Sequence, residues 1–151
     1  MIYRDYLKIQ TGYLVIEVND ESLVRIFFTK TLDKKRSSNR ASRKVIYQLK
    51  QFFSGKREEF DLDIKLVGTD FQKKVWSQLI KIPFGETSSY GDIAKQIGRP
   101  KAARAVGGAC NKNPILVVVP CHRVVGSTGN LTGFACGLDV KRELLQIEAS
   151  P

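Results

Sequence analysis

The sequence predicts an α/β chain in two parts: a small antiparallel sheet with one helix over residues 1–66, then a mostly helical part over residues 67–151 containing a helix-turn-helix. Three observations carry this. Strand-like runs alternate with turn residues before Phe28, helix-start signals recur after Leu66, and a Gly-Arg-Pro turn joins two short helical segments. With 151 residues and 42% hydrophobic content the chain can bury a core as one domain or two small ones.

Ile2–Lys8, Gly12–Val18 and Leu23–Phe28 read as strands, with Asn19-Asp20-Glu21 as a hairpin turn. Thr31–Ser42 is polar and basic and reads as a loop. Val45, Ile46, Leu49, Phe52 and Phe53 follow at helical spacing, and Gly55 supplies the stop. Phe60, Leu62, Ile64 and Leu66 alternate as one more strand. Nothing in this first part suggests chemistry, and it reads as scaffold.

Thr69-Asp70-Phe71-Gln72 has the form of a capping box, opening a helix expected to carry Phe71, Val75, Trp76, Leu79 and Ile80 inward. Ser89-Tyr90-Gly91-Asp92 opens a second, short helix that closes at Gly98. A third runs from Lys101 to about Asn111 and is built of Ala and Gly around one long side chain, Arg104. Glycines inside a helix cost about 1 kcal/mol each relative to alanine. Gly107 and Gly108 therefore imply close approach, to a neighbouring helix or to a DNA groove. Ile115–Val119 reads as a buried strand or extended core segment that Pro120 stops, so that Cys121 stands where the chain emerges. A last helix from about Asp139 carries Val140, Leu144 and Ile147 on one face.

The net charge of +10 points to a polyanionic partner. From Ile93 to Leu138 there is no Asp or Glu, whereas Lys95, Arg99, Lys101, Arg104, Lys112 and Arg123 all fall inside. That one-signed stretch suits a phosphate backbone better than a membrane surface, since it has no bulky amphipathic face. No apolar run approaches the ~20 residues of a membrane span, and residues 1–5 lack the apolar stretch of a secretory signal. A cytoplasmic protein is expected. Three cysteines without a C-x-x-C spacing argue against a disulfide framework and against a zinc site.

His122 is the only histidine, and it adjoins Cys121. A Cys–His pair is the usual means of making a thiolate, although neighbours on an extended chain diverge. The whole run Pro120-Cys121-His122-Arg123-Val124-Val125 resembles the active-site motif of the O6-alkylguanine-DNA alkyltransferases. The resemblance extends over residues 69–148: Phe71-Gln72, Phe84-Gly85, Ser89-Tyr90, the run from Pro100 to Gly107, Asn113-Pro114 and Glu148.

The resemblance implies a winged-helix-like second part and direct, single-use transfer of an alkyl group from O6-alkylguanine, with O4-alkylthymine as a further substrate, to Cys121. In that scheme His122 is the base, acting through a water, and Glu148 orients it. Asn113 braces the loop, and Tyr90 donates toward the leaving purine. Arg104 fills the gap left by a flipped base, while Thr69, Ser89, Tyr90, Lys101 and Arg123 contact DNA. Val124, Phe134, Ala135 and Cys110 line the pocket. The run Gly133-Phe134-Ala135-Cys136-Gly137 departs from the family's usual Gly-Tyr-x-x-Gly. No cofactor and no metal are implied; the partner is duplex DNA entered through the minor groove, and the protein is expected to be a monomer.

Two other readings stand beside this one. A module that recognises damage without transfer has less use for Cys121, and a transcriptional helix-turn-helix protein leaves the Cys–His run unexplained.

Overall fold

The computed structural model describes residues 1–33, 35–129 and 137–149. Contacts group the chain into two compact units: Met1–Leu66 with Pro114–Leu116, and Val67–Asn113 with Val117–Pro151.

The first unit is a three-stranded antiparallel sheet in the order β1 (Ile2–Ile9), β2 (Gly12–Asn19), β3 (Ser22–Thr29). Each hairpin turns in two residues, and Asp20 takes a left-handed φ of 55° that a short polar residue tolerates. Leu14, Ile16, Val18, Leu23 and Ile26 are buried under α1 (Arg40–Phe53), which adds Val45, Leu49 and Phe52. The helix begins five residues before Val45, where the apolar repeat starts. Asn39 caps it, with the Ser42 hydroxyl answering in place of the usual Glu or Gln, so part of the expected loop is helical. Residues 60–66 are not a full strand. They touch β3 at one parallel bridge, Leu23 to Ile64, and the Gln48 side chain from α1 takes up both backbone groups of Asp61.

The second unit packs α2 (Asp70–Ile80), α3 (Tyr90–Gln96) and α4 (Ala103–Asn111) against one another, with α5 (Leu138–Ala149) beside the Cys121 turn. The Thr69 capping box on α2 forms as its residues predict. Val75, Trp76 and Leu79 are buried, Phe71 is half-buried, and Ile80 is exposed rather than inward. The Trp76 indole donates to the Ala109 carbonyl across the α2–α4 contact (2.9 Å). Gly68 leaves room for its ring, since a Cβ would come within 2.5 Å of it. Ser88–Ser89 (β4) pairs in parallel with Val124–Val125 (β5), Ser88 opposite Val124 and Ser89 opposite Val125.

Ile115–Val119 is not a strand. Ile115 makes one bridge to Ile26, and the chain then turns, with Val117 at φ 71°. A β-branched residue rarely adopts that conformation, and it ends any extension. No helix among the described residues is long and apolar enough to cross a membrane.

Candidate active site

Pro120 has φ −82° and ψ 64°, and the Cys121 amide donates to the Val119 carbonyl (2.8 Å). This is an inverse γ-turn, for which the proline ring presets φ. The Asn113 side-chain amide donates to the same carbonyl (2.7 Å). Val119 thus anchors the turn from two sides. Cys121, His122 and Arg123 follow as one 3-10 turn, and all three are buried.

His122 is fully buried, and its Nε2 lies 2.5 Å from Glu148 Oε2 on α5. Burial alone would raise the Glu148 carboxyl. Hydrogen bonds from His122 and Arg123, with their charges, outweigh it and hold the group at about 2. The imidazole is pushed down, chiefly by burial, with Glu148 opposing. The two directions agree on one state, an ionised carboxylate facing a neutral ring. An ionised carboxylate only accepts, so the ring proton sits on Nε2 and Nδ1 presents its lone pair. Among the described residues that nitrogen has no hydrogen-bond partner. It is a buried base in its basic form.

Arg123 corrects the expectation that it contacts DNA. Its guanidinium turns inward: Nε and Nη2 donate to the Glu148 carboxylate (2.9–3.1 Å), and Nη1 donates to the Ile82 carbonyl (2.7 Å). A buried carboxylate needs a partner more than a phosphate needs one further cation. The Gly85 amide adds a fourth donor to Glu148 (3.2 Å).

These bonds predict an acid limb in stability. Glu148 titrates lower in the fold than its ordinary 4.5, so its contribution is complete above that value and fades as pH falls toward 2. The size is on the order of 3 kcal/mol. His122 acts in the same sense at higher pH, because the unfolded chain gains a proton near 6.5 that the folded chain resists. Denaturant midpoints of wild type and Glu148→Gln at pH 5 and pH 3 test this. The wild type is expected to lose more than the variant between the two; parallel losses refute it.

Cys110, on α4, is a buried thiol pushed up to about 12, first by burial and then by the Cys121 sulfur, with Lys141 opposing. Val124 is fully buried. Phe134, Ala135 and Cys136 lie outside the described residues. Tyr90 opens α3 directly after β4, so the β4–β5 pairing holds its backbone beside the chain leaving the Cys121 turn. Its ring borders Gly107, where a Cβ would sit 3.8 Å away.

The outer face of α4 carries Lys101 just before its start, then Arg104, Ala105, Gly108 and Asn111, all exposed. A Cβ on Gly108 would meet nothing within 4 Å. Internal packing therefore does not explain that glycine. The Thr69 and Ser89 hydroxyls cap α2 and α3, accepting from Gln72 and Asp92 amides. A hydroxyl that accepts at a cap keeps its own proton to donate outward.

Lys141 was not foreseen. It is fully buried on α5 and donates to the Val124 carbonyl (2.7 Å). Its signal is positional: it stands seven residues, two helical turns, before Glu148, with Leu144 between them on one face. Among the described residues no group of three His, Cys, Asp or Glu side chains forms a metal site.

Fold and site together define a two-unit protein whose basic helical half buries, on one 3-10 turn, a cysteine followed by a histidine whose neutral imidazole is held by a carboxylate. Comparison with known proteins gives this class its family. Residues 70–150 match the DNA binding domain of 6-O-methylguanine DNA methyltransferase, and residues 2–66 match its ribonuclease-like domain. A methylated-DNA–protein-cysteine methyltransferase of Methanosarcina barkeri is 45% identical over 97% of both chains. The crystal structure of the Mycobacterium tuberculosis O6-methylguanine methyltransferase superposes with a TM-score of 0.90 at 40% identity, covering 100% of this chain and 96% of that one. A structure of the M. tuberculosis protein in complex with DNA gives 0.87 at 42% identity, covering 95% and 91%. The chain belongs to the 6-O-methylguanine DNA methyltransferase family.

Proposed function

We propose that this protein repairs DNA by moving the alkyl group of O6-alkylguanine, and of O4-alkylthymine, onto Cys121. The observation that carries the reading is the neutral, buried His122 next to that thiol, with Glu148 already ionised to receive the charge the ring will take. The thiol proton passes to His122 Nδ1 through a water. The sulfur lone pair attacks the alkyl carbon, the C–O6 pair stays with the purine, and the Tyr90 hydroxyl protonates the departing base. A thiolate suits attack on a saturated carbon because sulfur is soft and strongly nucleophilic.

The target atom lies inside the duplex, so the nucleotide is flipped out. Arg104 occupies the gap, and the small exposed face of α4 admits the helix to the minor groove. Lys101, Thr69 and Ser89 hold the backbone, where contacts are independent of sequence. The protein acts as a monomer in the cytoplasm.

A thioether has no activated bond for water to cleave, so each molecule is expected to act once. Incubation with excess O6-methylguanine duplex should add one methyl mass per chain, found on Cys121 by peptide mapping. Repeated turnover, or methyl on Cys110 or Cys136, refutes the reading.

A further inference from the structure

We propose that the outer face of α1, in the first unit, is a second DNA-contact surface that holds undamaged duplex by its phosphates, whatever the sequence. From Lys34 to Arg57 the chain carries nine Lys and Arg and no Asp or Glu. Residues 1–66 hold 14 Lys and Arg against nine Asp and Glu. Half of the protein's excess positive charge therefore lies outside the unit that contains Cys121. The choice of DNA as the polyanion rests on the DNA-repair reading above.

The helix sorts these charges onto one side. Positions three, four, seven and ten beyond Arg40 share its face; they are Arg43, Lys44, Tyr47 and Lys50, and all five residues are exposed. The opposite face buries Val45, Leu49 and Phe52. Tyr47, in the middle of the basic stripe, is 61% exposed. A phenol there can donate to a phosphate oxygen, as tyrosines on DNA do. At 1.5 Å per residue the stripe from Arg40 to Lys50 is about 15 Å long, the axial rise of about four phosphates along one strand. A membrane surface suits it less, because Tyr47 is the one bulky ring among the cations.

The fold itself gives no reason for this stripe. Other cations of the unit are engaged within it: Arg4 and Arg25 pair with Glu17, Arg36 pairs with Asp5, and Arg57 donates to the Gln51 side chain and the Glu59 carbonyl. Among the described residues Arg40, Arg43, Lys44 and Lys50 form no ion pair. The first turn of α1 has no acid, and cations there oppose the helix dipole. Arg40 also stands three and four residues from Arg43 and Lys44, where like charges repel. Phosphates laid along the face relieve both conflicts at once, and contact of this kind lets a protein slide along duplex while lesions are sought.

The test compares wild type with a triple variant, Arg43→Gln, Lys44→Gln and Lys50→Gln, and with a control that carries Lys8→Gln, Lys30→Gln and Lys65→Gln. The control removes the same charge from exposed positions of the same unit that lie off α1. Affinity for undamaged duplex of about twenty base pairs is measured from roughly 50 to 200 mM salt. In the α1 variant the log–log slope against salt is expected to flatten by about 2 to 3, with binding at the lowest salt weakened about tenfold or more. The control should stay close to wild type, and all three proteins should react alike with free O6-benzylguanine. An unchanged slope in the α1 variant overturns the proposal. So does an equal loss in the control, which would make the effect one of net charge alone. Preferential binding of wild type to phosphatidylserine vesicles over duplex, lost in the α1 variant, makes the face a lipid surface and overturns it too. Should the variant fail to fold, acetylation of Lys44 and Lys50 in wild type is mapped with and without undamaged duplex. Protection by DNA is expected, and its absence overturns the proposal equally. Failure of the repair reading looks different: wild type takes no methyl from O6-methylguanine duplex, while its α1-dependent affinity stands.

Discussion

His122→Ala is expected to slow alkyl transfer by about 10²-fold or more near neutral pH while leaving DNA affinity within a few-fold of wild type. The affinity follows from burial: a fully buried ring between Glu148 and the Cys121 turn touches no phosphate. The rate follows from the thiol's surroundings. Cys121 is 3% exposed, and burial disfavours the charged form of a thiol. Without the imidazole, the proton has no acceptor inside. Alkaline pH should recover part of the rate, because hydroxide then does from solution what Nδ1 does from within. Single-turnover rates from pH 6 to 9.5, with binding measured in parallel, decide the matter. A variant with wild-type rates near pH 7 refutes the activation scheme while leaving Cys121 as acceptor.

Arg104→Ala is expected to cut repair of duplex DNA by roughly 10²-fold, the equivalent of the few kcal/mol that unstacking and unpairing a base require. Reaction with free O6-benzylguanine should stay within two-fold. Arg104 is exposed near the start of α4, away from the buried cluster, and nothing in its position links it to the thiol. The asymmetry between substrates is the readout. Equal losses on both would make Arg104 a residue of the pocket or of the fold. Duplexes carrying the lesion opposite an abasic site sharpen the comparison, since the orphan partner that the guanidinium replaces is then missing.

What could be read from residues alone was what local chemistry decides. Thr69 with Gln72 three residues later stated where α2 begins, and it begins there. The start of α1 was hidden because its reciprocal cap uses Ser42 among basic residues, against the preference for acids at a helix N-terminus. Ile115–Val119 looked like a strand because buried β-branched runs look alike in any buried element; the turn at Val117 depends on tertiary surroundings.

The same division runs through the site. Asn113 and Cys121 both donate to the Val119 carbonyl within nine residues of chain, and His122 adjoins Cys121, so one stretch of sequence already held these three. Arg123 was misread because a sequence states the sign of a charge and not its direction. Its partner lies 25 residues away on another helix. Lys141 escaped for a related reason. A lysine on a short helix usually lies in water, and only its alignment with Glu148 distinguishes it.

The Arg123–Glu148 pair has a consequence for the electrical state of the interior. Glu148 is neutralised by Arg123 before any reaction starts, and in the proposed scheme the imidazole draws its proton from a group in the same unit. The proton's passage from sulfur to nitrogen in that scheme changes no total charge: the cluster would act as an insulated circuit in which one positive charge moves from one terminal to another. Bulk solvent neither lends nor receives an ion until the purine departs. A molecule that works once has no need to reopen that circuit. Its lining can stay closed and rigid around that relay water in a way that a recycling enzyme, which must reopen to reset its base, cannot sustain.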